Sequence, residues 1–412
     1  MAQIHITLNQ EEILQLLLND RGEAFKQLFQ KSLNEILKAE SAEQLQADPY
    51  ERNDNRTDFR NGFRERNFNT RLGVLTLDVP RHRNVPFKTA LFDNYSRSET
   101  ALLACMMEMV VLGVSTRKVS DVVEQICGKS FSKSTVSEIC RTLDDAVLEF
   151  RQRPLTKKYP FVILDATYFK VRENHRIVSK ALMIAYGTNE YGEREIINFG
   201  VYNNESKETW KDFLNMLKKQ GLRDVLMFVS DAHEGIRSAI AAVYPDVPWQ
   251  RCQFHFAKNI ADKVPKKYQA GIRYELQTMF RCKTVEEARR VRDEIINEYG
   301  DIAESAMRTL DEGFESSMTV MTLPEHLRKY YRTSNHIERF NRELKRRSRV
   351  IGVFPNVESL VRIIGSNLIE LNENLCLKKK IFKGSIYEKL YGLDVPVKLL
   401  EIAHEQLKLL AA

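Results

Sequence analysis

The spacing of apolar residues changes along the 412-residue chain, and each spacing predicts a different kind of structure. Residues 1–45 carry the apolar stripes ILQLLL and AFKQLFQKSLNEIL, which predict amphipathic helices. Residues 46–97 are interrupted by Asn, Asp, Gly and Pro, and only LGVLTLDV alternates there like a short strand. Residues 98–150 return to helical spacing, and from residue 158 apolar strands alternate with helices. A chain of this length and variety is expected to form about two to four domains.

Two short helices are predicted within the helical region that ends at residue 150. Apolar residues repeat at helical spacing over 119–126 and again over 136–143, with Gly128 between the two runs. Ser132 or Ser134 can cap the second helix, which presents Lys133 and Ser134 near its N-terminus. The pattern is typical of a DNA-binding helix-turn-helix, although an ordinary helical hairpin has the same spacing.

The segment from residue 158 predicts an α/β core. Its strands are YPFVILDATYFKV, SKALMIAYGT, REIINFGVYN, DVLMFVSD and WQRCQFHF, and helices precede the last two. Three meandering strands followed by right-handed crossovers predict a mixed five-stranded sheet, in which strand one lies beside strand four. This order matches the ribonuclease H-like fold. Residues 257–332 look purely helical and are expected to form an insertion before the helix TSNHIERFNRELKRRSR.

The charge of the chain favours polyanionic partners, nucleic acid first, because the net charge is +7 and the pI is about 8.9. The six cysteines form no C-x-x-C pair, which indicates reduced thiols of a cytoplasmic protein. The N-terminal sequence lacks a signal-peptide pattern, and no apolar run approaches the roughly 20 residues of a membrane span. We therefore expect neither secretion nor membrane insertion.

Positive charge is concentrated between residues 51 and 83, where eight arginines stand against five acids and three phenylalanines are interleaved. Arginines bind phosphates and aromatic rings pack or stack, so this stretch is a candidate DNA-contacting arm that includes Arg60, Arg64 and Arg66. A solvated loop that folds back on the first domain is the alternative.

Two aspartates stand where apolar strands end, Asp165 in FVILDATYF and Asp231 in LMFVSDAHEGI. With strand one beside strand four, both carboxylates reach the same edge of the sheet and repel each other unless a cation lies between them. Hard oxygen ligands suit Mg²⁺ or Mn²⁺, and two such ions can catalyse phosphodiester chemistry. Taken singly, Asp231 could cap the next helix and Asp165 could be an ordinary polar strand end.

A third carboxylate, Glu338, begins a strongly basic helix. With Asn335 as N-cap, Glu338 would complete a capping box, which is a purely structural role. From residue 339 to 349, however, six basic residues accompany one acid. Phosphate contacts are therefore expected from Arg339, Arg342, Lys345 and Arg346.

At these residues the chain resembles the bacterial Mutator-type transposases, a family of insertion-sequence enzymes with an Asp-Asp-Glu triad. The matching motifs are LDATY at Asp165, VSDAHEGI at Asp231, SNHIERFNRELKRR at Glu338 and the Cys-x-x-His signature RCQFH at Cys252 and His255. His336 departs from the family pattern, in which a small residue is more usual. The resemblance implies Mg²⁺-dependent cleavage at transposon ends, strand transfer by the freed 3′-hydroxyl, binding of terminal inverted repeats by the N-terminal helices, and a homodimer.

Cys252 and His255 are expected to support the site without binding a metal. Residues three apart on a strand face opposite sides, and a structural zinc site needs four ligands. A buried structural pair is the simpler interpretation, with His255 orienting the active site or a DNA phosphate.

The predicted function is that of a DNA transposase that acts on double-stranded DNA at transposon ends and at the target. A non-catalytic DNA-binding regulator and a structure-specific nuclease on the same fold are the alternatives. The expected organisation is an N-terminal helical and basic region over 1–97, a helix-turn-helix domain over 98–150, core segments over 157–256 and 333–383, the helical insertion over 257–332, and a tail over 384–412.

Overall fold

A computed structural model describes residues 21–411 except 52–53, 71, 92–99 and 128–130. The predicted stripe ILQLLL and Gly128 lie outside the described residues. The contacts within the chain divide it into two compact units, Met1–Thr142 and Leu143–Ala412. The boundaries of the six segments expected from the sequence stay predictions.

The first unit combines a long helix, a β-hairpin and three shorter helices. Its elements are α1 (Arg21–Leu45), β1 (Arg60–Thr70), β2 (Gly73–His82), α2 (Thr100–Val111), α3 (Thr116–Cys127) and α4 (Lys133–Arg141). Leu33 and Leu37 of α1 pack on Phe68 of β1 and on Leu75 and Leu77 of β2. The alternating strand expected at LGVLTLDV is therefore confirmed, whereas the arginine-rich partner strand β1 was not predicted.

The predicted helix pair of the first unit is present as α3 and α4. Val119 and Val123 of α3 and Val136 and Cys140 of α4 are buried, as the apolar spacing predicted. Ser132 caps α4 by accepting a hydrogen bond from the backbone N–H of Thr135. Two helices at this spacing do not by themselves distinguish a DNA-reading motif from a helical hairpin.

The second unit is built on the mixed five-stranded sheet that the sequence predicted. The strands are β3 (Phe161–Glu173), β4 (Arg176–Thr188), β5 (Arg194–Tyr202), β6 (Met227–Ser230) and β7 (Trp249–Arg251), in the order β5-β4-β3-β6-β7. Strands β3, β4 and β5 are antiparallel neighbours, and β6 pairs in parallel with both β3 and β7. Strand one therefore lies beside strand four, as expected.

Helices surround this sheet and extend beyond it. They are α5 (Leu143–Gln152), α6 (Lys207–Lys219), α7 (Glu234–Val243), α8 (Gln253–Ala261), α9 (Gln269–Arg281), α10 (Val285–Tyr299), α11 (Glu304–Met318), α12 (Glu325–Tyr331), α13 (Asn335–Ser348), α14 (Val357–Cys376), α15 (Ile386–Tyr391) and α16 (Val395–Ala411), with short 3₁₀ turns at Lys266–Tyr268 and Thr319–Thr322. The tail, which the sequence pattern left unassigned, is helical. Gln406 of α16 bonds to the backbone N–H and C=O of Trp249, so a side-chain amide satisfies edge strand β7.

The strand alternation of β3 decides which of its side chains face α6 and which face α13. Val162 and Leu164 join the core formed with Trp210 and Phe213 of α6 on one face of the sheet. Residues 161, 163 and 165 point to the opposite face, where Phe161 stacks on Tyr331 with ring centroids 4.0 Å apart. Asp165 therefore faces the side of the sheet on which α13 packs.

The described helices include none that is both long and apolar enough to cross a bilayer.

Candidate active site

Asp165 on β3 and Asp231, the residue that follows β6, come close to each other. The register pairs Ile163 of β3 with Val229 of β6, so each aspartate follows its strand's paired residue by two positions. The expectation that Asp165 stands at a strand end is wrong: only the apolar run ends there, and β3 continues to Glu173 along β4. Asp231 Oδ1 accepts a hydrogen bond of 3.3 Å from His233 N, so its carboxylate also stabilises the turn into α7. Asp165 therefore lies in the middle of β3, beside Asp231 at the end of β6, and the two carboxylates interact electrostatically.

The environment of Asp165 opposes its negative charge. Burial first, and then the charge of Asp231, raise the pKa of Asp165 to about 7, although the charge of His255 acts in the opposite direction. Asn341 of α13 donates a hydrogen bond of 2.7 Å to Asp165 Oδ2, while its own buried Oδ1 has no hydrogen-bond partner among the described residues. A half-buried carboxylate beside a second carboxylate is an environment that a divalent cation would stabilise.

Glu338 lies in the first turn of α13 and also acts electrostatically on Asp165. The expected capping box is wrong, because Ser334 rather than Asn335 is the N-cap residue and no side chain caps this helix. The Ser334 hydroxyl lies 3.4 Å from Glu338 Oε1 and 3.3 Å from Cys252 Sγ. Glu338 is therefore free of the structural role that the sequence offered as an alternative.

The expectation that Cys252 and His255 lie on a strand is wrong. Strand β7 ends at Arg251, Cys252 is the N-cap residue of α8, and His255 follows in the first turn of that helix. On a helix, residues three apart share a face. Ligand atoms of Cys252, His255 and Glu338 consequently all lie within 4.8 Å of one another, and His255 Nε2 is 3.7 Å from Glu338 Oε1.

The thiol and the imidazole shift each other's protonation. Burial raises the pKa of the Cys252 thiol, but hydrogen bonds with His255 and Ser334 outweigh this effect and lower it overall. The hydrogen bond with Cys252 raises the pKa of His255 to about 9, with further contributions from Glu338 and Asp165. His255 is thus expected to carry a positive charge at neutral pH. The sulfur of Cys252 and the carboxylate of Glu338 flank this cation, whereas the aspartate pair offers the oxygen ligands that suit Mg²⁺.

The basic residues of α13 have different environments. Arg339, Arg342 and Lys345 are exposed. Arg346 is also exposed, but it pairs with Glu343 at 2.7 Å. Arg347 is buried and bonds to Glu343, Asn367 and Glu370, which makes it a structural residue. Of the four predicted phosphate contacts, three are therefore exposed and form no ion pair with another described residue, and their role stays a prediction.

The predicted DNA-contacting residues of the first unit also differ in their contacts. Arg60 donates to the backbone carbonyls of Ala47 and Asp48 at 2.7 and 3.1 Å, which ties β1 to the end of α1. Arg64 is exposed and Arg66 is half-buried on the same strand. On α4, Lys133 is exposed, and Ser134 Oγ lies 2.7 Å from the capping hydroxyl of Ser132. Their contacts with DNA stay a prediction.

Three residues near the site were not identified from the sequence. Asn341 follows Glu338 by three positions on α13, and this helical spacing is the signal that could have found it. Ser334 and Glu205 carry no comparable signal, although burial raises the pKa of Glu205 and so does the neighbouring charge of Asp231. His336, whose role the sequence left in doubt, stacks on Tyr186 with ring centroids 5.7 Å apart.

Comparison with known proteins agrees with the resemblance seen in the motifs. The family described as "Transposase, Mutator family" matches residues 1–377. The transposase of insertion sequence element IS256 in transposon Tn4001 of Staphylococcus aureus is 41% identical over 377 residues, which cover 90% of this chain and 96% of the relative. The transposase of insertion sequence element ISRM5 of Rhizobium meliloti is 37% identical over 359 residues, with 87% and 90% covered. The transposase of insertion sequence element IS1081 of Mycobacterium tuberculosis is 32% identical over 375 residues, with 90% of both chains covered. The chain therefore belongs to the Mutator family of transposases.

Proposed function

We propose that this chain is a DNA transposase that binds the terminal inverted repeats of an insertion sequence, cleaves DNA at its ends and joins the freed 3′-hydroxyls to a target. Family membership over most of the chain and the transposase relatives support the transposase role. The observation that carries the catalytic assignment is that Asp231, at the end of β6, and Glu338 both act electrostatically on Asp165 of β3.

The architecture supports this proposal. The strand order β5-β4-β3-β6-β7, with one antiparallel meander and two parallel pairings, is the order of a ribonuclease H-like core. Helices α3 and α4 supply the helix-turn-helix and present Lys133 and Ser134 to DNA. Two transposon ends are held by a homodimer, as the family resemblance implies.

Asp165, Asp231 and Glu338 are the residues that would hold two Mg²⁺ ions, for which Mn²⁺ would substitute. The fit rests on the donor set, because Asp165 is a half-buried carboxylate whose ionisation a second carboxylate opposes, and both offer hard oxygen ligands. When bound, such ions polarise the phosphodiester and lower the pKa of a water or a 3′-hydroxyl.

The residues around the carboxylates orient them. Asn341 orients Asp165 by donating a hydrogen bond to its Oδ2. The cation of His255 stands 3.7 Å from Glu338 and balances part of the negative charge of the triad. Arg339, Arg342 and Lys345 hold the phosphates of the DNA end beside the cut, with Arg346 at the margin of this row.

Neutralising Asp231 tests the catalytic assignment. Asp231→Asn is expected to lower cleavage of labelled transposon-end DNA with Mg²⁺ by about a thousandfold or more, because a metal ligand is lost. Binding of the same DNA should be retained. Asp301→Asn, which changes an exposed carboxylate in the turn between α10 and α11, should cleave like the unaltered protein.

Two outcomes would contradict the proposal. Normal cleavage by Asp231→Asn would remove Asp231 from the catalytic set, and loss of folding would assign it to the turn before α7. A nuclease on the same fold would cleave but would give no joined product from a pre-cleaved end and a target plasmid.

A further inference from the structure

A groove of about 820 Å³ opens between α8, α9 and the start of α13, beside the candidate active site. Its lining includes two exposed aromatic side chains and four basic ones, namely Phe254, Tyr274, Lys258, Arg273, Arg281 and Arg332. A third aromatic ring in the lining, Phe280, is buried. None of these residues belongs to the carboxylate triad or to the predicted phosphate contacts on α13. The groove therefore has no role in the chemistry proposed above.

Two aromatic rings of the groove are exposed to solvent. Phe254 is 48% exposed and Tyr274 is 72% exposed. Large apolar rings that stay in water lose the stabilisation that burial would give them, and clustered ones often mark a binding surface. Both rings line one cavity, so a single flat ligand could cover them.

The charge of the groove is strongly one-sided. Its lining includes four cations and one carboxylate, Asp262, and among the described residues none of these five side chains is in an ion pair. Among these cations, Arg332 has a buried Nε that lacks a hydrogen-bond partner within the described part of the chain. Burial, Arg328 and Arg281 all lower the pKa of Arg332. An anion would relieve this repulsion.

The groove is continuous with the candidate active site. Two of its lining residues, Gln253 and Asn335, directly follow Cys252 and Ser334. The Phe254 ring lies 5.6 Å from the His255 ring, and His255 Nε2 is in turn 3.7 Å from Glu338 Oε1. The groove therefore lies beside the proposed cleavage site at Glu338.

We propose that this groove binds unpaired nucleotides of the DNA strand that leaves the active site, with bases stacked on Phe254 and Tyr274 and phosphates held by Arg281 and Arg332. The inference rests on the proposed function. Stacking selects single-stranded over double-stranded DNA, because the faces of a base are accessible to a side chain only when the base is unstacked. Aromatic rings interleaved with cations are the usual composition of such grooves.

Binding of a fluorescent single-stranded oligonucleotide to the full-length protein in EDTA tests the inference. EDTA prevents cleavage, so the measurement stays informative even if the proposed catalysis fails. Phe254→Ala and Tyr274→Ala are each expected to weaken binding about tenfold. Tyr191→Ala, which removes a 49% exposed ring outside the groove, should leave it unchanged.

A second measurement uses a blunt duplex of the same sequence. The duplex affinity of Phe254→Ala and of Tyr274→Ala should stay within about twofold of that of the unaltered protein, since duplex contacts are assigned to other residues. Unchanged single-strand affinity in a protein that carries both Phe254→Ala and Tyr274→Ala, or an equal loss for single strand and duplex, would overturn the inference. A change confined to the oligomeric state in sedimentation would also overturn it and would assign the groove to a second copy of the chain.

Discussion

Neighbouring arginines on one basic helix have different roles, which only their contacts reveal. Arg347 is 8% exposed and bonds to Glu343, Asn367 and Glu370, whereas Arg342 is exposed. In the sequence, the two residues are equivalent members of the basic run on this helix. A charge run by itself does not tell which cations reach a ligand and which hold helices together.

Arg347→Met is expected to destabilise the protein by about 3 kcal/mol, because it leaves Glu370 and the buried amide of Asn367 without their partner. Chemical unfolding followed by circular dichroism measures this loss. Arg342→Met is the matched control on the same helix and should unfold at the same denaturant concentration. It should instead weaken binding of transposon-end DNA and reduce its salt slope by about one. Equal stability of both variants would contradict the structural role of Arg347.

The aspartate pair could be predicted from the sequence, but the cluster around His255 could not. Apolar runs that end in Asp165 and Asp231 are local signals, and the strand order follows from the order of elements. Phe254 and Phe256 at the end of WQRCQFHF are two residues apart, as on a strand. Phe256 and the later Ile260 are four residues apart, which also fits a helix. Long-range contacts stabilise the helix, since Gln253 N donates to Arg332 O and Ser334 donates to Cys252 Sγ. Such contacts leave no trace in local spacing.

At the scale of an element, the hairpin β1–β2 explains why one strand was predicted and the other was not. Strand β2 alternates apolar and polar residues, but β1 reads RNGFRERNFNT and resembles a loop. Its pairing with β2 and the contacts of Asp58 at the open end of the hairpin compensate for this poor propensity. The Asp58 carboxylate accepts hydrogen bonds from Phe59 N, Asn84 N and Val85 N at 2.7, 2.9 and 2.8 Å.

These hydrogen bonds predict a pH dependence of the first unit. The bond from Val85 N, the largest influence, together with those from Phe59 and Asn84, lowers the pKa of Asp58 to about 2. A lowered pKa means that the stabilisation is complete above the ordinary pKa of about 4 and is lost as the pH falls towards 2. Asp58→Asn should therefore unfold more easily at pH 7, and its difference from the unaltered protein should shrink between pH 4 and pH 2.

Unfolding midpoints measured from pH 2 to pH 7 check this prediction. Asp78→Asn, which changes an exposed carboxylate on β2 of the same hairpin, should show no such convergence. A difference between Asp58→Asn and the unaltered protein that stays constant across this range would show that the carboxylate does not stabilise the hairpin through its charge.

At the scale of the whole molecule, the helix α5 belongs by its contacts to the second unit. Arg362 of α14 is only 8% exposed, and its Nε and Nη2 each bond to a carboxylate oxygen of Asp144 at 2.7 Å. Val147 of α5 is buried against α14 at Gly365, where a Cβ atom would approach Val147 Cγ1 to 2.5 Å. Only glycine allows the two helices to pack this closely.

Two fragments, residues 143–412 and residues 151–412, test whether these contacts of α5 stabilise the second unit. Both should bind transposon ends poorly, because end recognition is assigned to the N-terminal helices. The longer fragment should fold cooperatively, whereas the shorter one should be less stable by about 3 kcal/mol, since it leaves the Arg362 guanidinium buried without a counter-charge. Urea unfolding of both fragments, with Asp144→Asn in the longer one to separate the ion pair from the packing of Val147, measures the difference. Coincident midpoints for the two fragments would mean that α5 is an appendage and that the catalytic core begins after residue 150, as the sequence alone suggested.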